Sequence, residues 1–159
     1  MKPRVYIETS VVSYLTARPS ADQLTAACQQ ITQAWWNTRL SGVDAFISPY
    51  VVEEASRGDS GAAKARIDSV REIPLLSVGP VVVELAHYLL QGGGLPGQAK
   101  LDALHIACAT VHRMDVLLTW NCAHIANPMQ LPVIRGLCSA KGYRMPELVT
   151  PVEMMEAPE

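Results

Sequence analysis

The sequence has little charge, few aromatic residues and no long apolar run. Charged residues make up 18% of its 159 residues and the net charge is −2, so no overall basic field points to a nucleic-acid partner. No stretch reaches the ~18 uncharged apolar residues that a membrane span requires, and the N-terminus lacks the basic segment and cleavage site of a secretion signal. We therefore predict a cytoplasmic protein without membrane association.

Cysteine is also scarce, and its spacing does not suggest a metal or redox motif. The four cysteines form no C-x-x-C pair, which is typical of free thiols in a reducing compartment. Cys122 and His124 could form half of a zinc site, but no second pair of soft ligands has suitable spacing, so this alternative is disfavoured. We expect free thiols at all four positions: Cys28, Cys108, Cys122 and Cys138.

What the sequence does contain is a high apolar fraction, 49%, in a regular alternation of strand and helix patterns. Short β-branched runs alternate with longer helical segments, which is typical of βα units around a parallel sheet. The length suits one domain with a single core. The strands are predicted at 4–8, 45–49, 74–78 and 115–120, with a short last one near 147.

The glycine-rich segment 92–97 invites comparison with a phosphate-binding loop. Such a loop needs Lys directly after its last glycine and lies between a strand and a helix. Here Gln98 and Ala99 follow instead, and both flanks are helical in pattern. We therefore predict a flexible connection between two helices.

Four oxygen-bearing side chains stand where the ligand crevice of a parallel sheet is expected. Glu8 ends the first strand, Glu54 lies in the helix after the second strand, Asp102 starts a later helix, and Asn121 follows the fourth strand. Singly, the acids could merely favour helix N-termini. Together, carboxylates in one crevice repel unless a cation lies among them, which predicts a Mg²⁺ or Mn²⁺ site.

These residues lie in four blocks that resemble those of PIN domains, and in particular the VapC-type ribonuclease toxins of toxin–antitoxin modules. The resemblance spans nearly the whole chain and implies one PIN domain over residues 1–159, a three-layer α/β/α fold with a central parallel sheet of four or five strands. The blocks, in order, are VYIETSVVSYL, FISPYVVEEASRGD, LDALHIACAT and VLLTWNCAHIAN.

The resemblance implies the reaction and the residues that carry it. Catalytic roles fall on Glu8, Glu54, Asp102 and Asn121, and the first three are the implied ligands of Mg²⁺ or Mn²⁺. The implied reaction is cleavage of RNA by a metal-activated water. The chain departs from the family pattern at Glu8, where Asp is usual, and at Asn121, where Asp is frequent.

Substrate contacts and partners follow from the same resemblance. The RNA backbone and metal-bound water are expected near Thr9, Ser10, Arg18, Arg57 and Lys100, and the protein partner is expected to be a small antitoxin. We also expect a homodimer formed by helices around Trp35 and Trp36 and by the segment 59–70, with one tryptophan pointing inward.

Other interpretations remain open at this point. His105, one turn after Asp102, could support the acids, although a satisfied core histidine is favoured, and His124 is similarly open. The fold could also have been retained as a binding or scaffold module without catalysis, with Glu8 and Asn121 as signs of lost activity. A phosphatase is disfavoured because phosphoaspartyl enzymes need Asp at the end of the first strand. Asp115 begins a strand at the opposite end and is excluded from the site.

Overall fold

Four short parallel strands form the centre of the protein, in a computed structural model that describes residues 1–156. Most of the side chains of these strands are apolar and are buried or half-buried, on both faces of the sheet, as is typical of parallel strands that are covered by helices. The strands are β1 (Arg4–Ile7), β2 (Asp44–Phe46), β3 (Val116–Leu118) and β4 (Glu147–Val149). Their order across the sheet is β2-β1-β3-β4.

Helices cover both faces of the sheet, which confirms the predicted layered α/β architecture. The α-helices are α1 (Thr9–Thr16), α2 (Gln23–Thr38), α3 (Pro49–Ala55), α4 (Ser60–Ser69), α5 (Pro80–Gln91), α6 (Lys100–Val111), α7 (Leu131–Ala140) and α8 (Pro151–Met155). A short 3₁₀ turn, Leu40–Gly42, precedes β2. Helix α1 packs on α2, whereas α5 packs on α6 and α7.

The direction of the chain through the sheet reverses beside β1. From β1 the chain passes to β2 on one side, and it then returns past β1 to β3 on the other. Right-handed crossovers in opposite directions place the connecting helices on opposite faces, and they leave a crevice between the carboxyl ends of β1 and β3. This crevice is where a ligand site is expected in such a sheet.

The predicted strand at 74–78 is wrong in extent. Only a single parallel bridge forms there, between Ile47 and Leu75, so the sheet has four strands. Pro74 cannot donate a ladder hydrogen bond, although its carbonyl accepts from Ile47 at 3.1 Å. The segment 92–97 does join two helices, as predicted.

One hydrophobic core contains the strands and the inner helix faces. Trp35 is fully buried and Trp36 is half-buried, which confirms that one of the two tryptophans points inward. The homodimer expected near them stays a prediction. None of the helices within residues 1–156 has the length and apolar character that crossing a membrane would require. The one-domain prediction extends over 157–159, which lie outside the described residues.

Candidate active site at the carboxyl edge of the sheet

Glu8 lies directly after β1 and is the N-cap of α1. Its backbone N–H continues the sheet by donating to the carbonyl of Leu118 at 3.0 Å. Its Oε2 accepts from the Ser10 N–H at 2.7 Å, from the Ser10 hydroxyl at 2.5 Å and from the Thr119 hydroxyl at 3.2 Å. The residue is only 5% exposed, and burial raises the pKa of its carboxyl above the ordinary value.

Glu54 lies on α3 and faces the same crevice. Its Oε1 accepts from the Thr9 hydroxyl at 2.9 Å and is hydrogen-bonded to Nε2 of His105. Partial burial favours the neutral acid, but the hydrogen bond and charge of His105, the Thr9 hydroxyl and the charge of Arg57 together lower the pKa of Glu54. The negative charge of Glu54 is a smaller, additional cause of the raised pKa of Glu8.

His105 connects Glu54 to a buried chain of hydroxyl groups. The histidine is fully buried, and its Nδ1 lies 2.6 Å from the Tyr6 hydroxyl, which in turn lies 2.7 Å from the Ser48 hydroxyl. If Nε2 donates to the Glu54 carboxylate, Nδ1 accepts from Tyr6 and Tyr6 accepts from Ser48, so every group in the chain is satisfied. We call these four residues, Ser48, Tyr6, His105 and Glu54, the buried relay.

Asp102 lies in the first turn of α6, about one turn before His105 and on the same face of the helix. Its Oδ1 accepts from the Asn121 amide at 3.1 Å, and its Oδ2 lies 2.9 Å from Nδ1 of His124. The side-chain oxygen of Asn121, Oδ1, accepts from the backbone N–H of His124 at 3.0 Å. Asp102, Asn121 and His124 therefore form a closed cluster of hydrogen bonds. Both oxygens of Asp102 therefore have protein partners.

Thr119 joins the two halves of the site. Its hydroxyl donates to Glu8 at 3.2 Å and accepts from the Asn121 N–H at 2.9 Å. Glu8 is thereby connected to Asp102 through Thr119 and Asn121, and α6 connects Asp102 to the buried relay. The structure thus brings all four predicted catalytic residues to one edge of the sheet.

The donor set suits a hard divalent cation, although the predicted three-carboxylate centre is not formed. Within residues 1–156, no three His, Cys, Asp or Glu side chains are grouped so that they could hold one metal ion. Glu8 Oε1 and Glu54 Oε2 have no hydrogen-bond partner among these residues. Mg²⁺ is commonly held by one or two carboxylates together with water and substrate phosphates, so these two oxygens are donors of the chemical type that such an ion takes.

The residues predicted to bind substrate fall into two groups. The hydroxyls of Thr9 and Ser10 are hydrogen-bonded to the carboxylates, so they position Glu54 and Glu8. Arg57 is exposed and pairs with Glu53 at 2.7 Å. Arg18 and Lys100 are exposed and make no contact with the carboxylates in the part of the chain described here.

Sequence reasoning missed several members of the site. Tyr6 and Thr119 look like ordinary strand residues, and their polar groups point to the site only once the sheet is assembled. Ser48 is the N-cap residue of α3, directly before Pro49, and its sequence position predicts a capping hydroxyl. Its hydroxyl is instead hydrogen-bonded to the Tyr6 hydroxyl. His105 is a core histidine, as favoured, and it also holds Glu54.

Comparison with known proteins adds no assignment: no model of a protein family matches the chain, and no curated protein matches it in sequence. The resemblance to PIN domains therefore depends on the four sequence blocks, and the residue roles that it implies stay predictions.

Proposed function

We propose that the protein is a Mg²⁺- or Mn²⁺-dependent ribonuclease of the PIN type and the toxin of a toxin–antitoxin pair. The observation that carries the proposal is the meeting of Glu8, Glu54 and Asp102 at the point where the strand order reverses, with Glu8 and Asp102 in one hydrogen-bonded network and Glu54 in the buried relay beside it. The cytoplasm, RNA as substrate and an antitoxin as partner belong to the same proposal.

The chain's own residues account for most of the arrangement that this chemistry needs. Thr9 and His105 fix one oxygen of Glu54, while Ser10 and Thr119 fix one oxygen of Glu8. Each carboxylate then offers its second oxygen in a defined direction. Bound Mg²⁺ or Mn²⁺ would lower the pKa of a water and offset the charge that develops on the phosphate.

The cluster of Asp102, Asn121 and His124 supplies the polar rim of the crevice. Since both Asp102 oxygens are bonded, its negative charge holds the Asn121 amide and the His124 ring in place. Nδ1 of His124 donates to the Asp102 carboxylate, so the other ring nitrogen donates to a phosphate oxygen of the RNA only in the imidazolium form, in which both nitrogens carry a proton.

A binding or scaffold role without catalysis is the second candidate. It is favoured by the absence, within residues 1–156, of three grouped metal-ligating side chains. In that case Glu8 and Asp102 act only on stability, as a helix cap and as a partner of His124.

Metal binding and RNA cleavage separate the two candidates. Millimolar Mg²⁺ or Mn²⁺ should raise the melting temperature, because a ligand that binds only the folded state stabilises it, and the same ions should support cleavage of an unstructured RNA. Glu54→Gln should abolish both effects. The matched control is Glu53→Gln, at the neighbouring exposed position, which should keep both. If neither ion changes melting and no RNA is cleaved, the scaffold role is favoured.

A further inference from the structure

A second cleft, of about 620 Å³, opens at the amino edge of the sheet, opposite the carboxylates. It is lined by residues 110, 111 and 113–115, which lead from α6 into β3, and by residues 142–147, which lead from α7 into β4. Its volume lies within the range of small-ligand pockets, about 300–1,000 Å³. The proposed ribonuclease function does not use it.

Two arginines in the lining, Arg113 and Arg144, are free to bind an anion. Among residues 1–156, neither guanidinium forms an ion pair or a side-chain hydrogen bond. Guanidinium groups without a carboxylate partner are suited to two-point binding of phosphate or carboxylate oxygens.

The acids that line the cleft have other partners. Asp115 accepts from the Arg4 N–H at 2.8 Å, and Glu147 faces Arg135 at 3.8 Å. Neither acid forms a salt bridge with Arg113 or Arg144 within residues 1–156, so the N–H groups of both guanidiniums are left available.

Helix termination accounts for one of the two arginines of the cleft but not for the other. Arg113 has a φ of 55° directly after α6, a left-handed position where glycine is usually preferred. Basic side chains at helix ends offset the helix dipole, which accounts for a positive charge at Arg113. That explanation does not extend to Arg144, four residues beyond the end of α7.

We propose that this cleft binds a small phosphate ester of the mononucleotide class. The phosphoryl oxygens accept hydrogen bonds from the guanidinium groups of Arg113 and Arg144. The base packs on the half-buried ring of Tyr143, which also lines the cleft.

Isothermal titration of the full chain tests the proposal with adenosine 5′-monophosphate, inorganic phosphate and adenosine as probes. The monophosphate should bind more tightly than phosphate, and adenosine should not bind measurably. Arg113→Gly suits the backbone at that position, so the fold should persist while the affinity falls at least tenfold. Arg144→Ala should weaken binding similarly. The control is Arg71→Ala, an exposed arginine on a distant turn, which should bind as the wild type does.

Three outcomes would overturn the proposal. They are no binding of the monophosphate at millimolar concentration, binding of adenosine as tight as that of the monophosphate, and unchanged affinity in Arg113→Gly. Asp102→Asn separates the two sites, because it should leave this binding intact whether or not the acid crevice cleaves RNA. Loss of binding in Asp102→Asn would place the nucleotide in the acid crevice and would also refute the proposed cleft.

Discussion

Replacing His105 by phenylalanine should destabilise the protein by breaking the buried relay. The fully buried ring loses its bond to the Tyr6 hydroxyl, 2.6 Å away, and its bond to the Glu54 carboxylate. A phenylalanine ring suits the space, because Tyr6 and Tyr50 already pack edge-on against the imidazole with centroids 5.8 and 6.3 Å away. The change therefore removes hydrogen bonds with little loss of packing.

The size of the effect follows from the two bonds. A neutral buried hydrogen bond contributes about 0.5–1.5 kcal/mol, and one to a charged group contributes about 1.5–3 kcal/mol. His105→Phe should therefore lower the free energy of unfolding by about 2–4 kcal/mol. For a chain of this length, each kcal/mol lowers the melting temperature by about 2–4 °C, so we expect a decrease on the order of 10 °C.

A double-mutant cycle with Tyr6→Phe isolates the bond between the two rings. Chemical unfolding of the wild type, both single variants and the double variant should give a coupling energy of about 0.5–1.5 kcal/mol. His87→Phe, on the exposed face of α5, is the control and should change stability by less than about 0.5 kcal/mol. Strictly additive losses would show that the Tyr6–His105 bond does not exist in solution, and an unchanged His105→Phe would refute the stabilising role of the buried relay.

Two further predictions concern the carboxylates. Because burial raises the pKa of Glu8 in the folded state, its ionisation weakens folding as the pH rises from about 4.5, the ordinary value, through the raised pKa. The stability of Glu8→Gln relative to wild type, measured by thermal unfolding without metal, should therefore increase over that range; a flat difference would contradict the raised pKa. Asp102→Asn keeps the shape of the side chain, so its melting temperature should stay within a few degrees of wild type, whereas RNA cleavage should fall by about 100-fold or more. Wild-type cleavage by a stable Asp102→Asn would show that the activity comes from elsewhere.

The sequence was sufficient to predict that the polar side chains of the site lie at one edge of the sheet. Such a prediction requires only the positions where the strands end and the assumption that the strands are parallel. Glu8 and Asn121 follow buried runs that are local in sequence, and parallel strands bring such ends together. The same reasoning failed at 74–78, where an apolar run resembles a strand but Pro74 limits it to one bridge.

The buried relay could not be predicted, because its bonds join distant parts of the chain. Tyr6 and His105 are 99 positions apart, and His105 and Glu54 are 51 apart. In their local sequences, Tyr6 and His105 cannot be distinguished from aromatic residues that only pack in an apolar core. Their polar atoms acquire a role only through the packing of α6 against α3 and β1.

Helix capping alone does not account for the length and the burial of the Glu8 side chain. Helix N-caps are usually Ser, Thr, Asp or Asn, which accept the same backbone bond with a shorter side chain. At Glu8 a longer carboxylate is buried instead, and its ionisation is opposed by that burial. Capping and the hydroxyls of Ser10 and Thr119 engage only Oε2. The second oxygen, Oε1, has no partner among residues 1–156, and a cation shared with Glu54 would offset the cost of keeping both acids charged at this edge of the sheet.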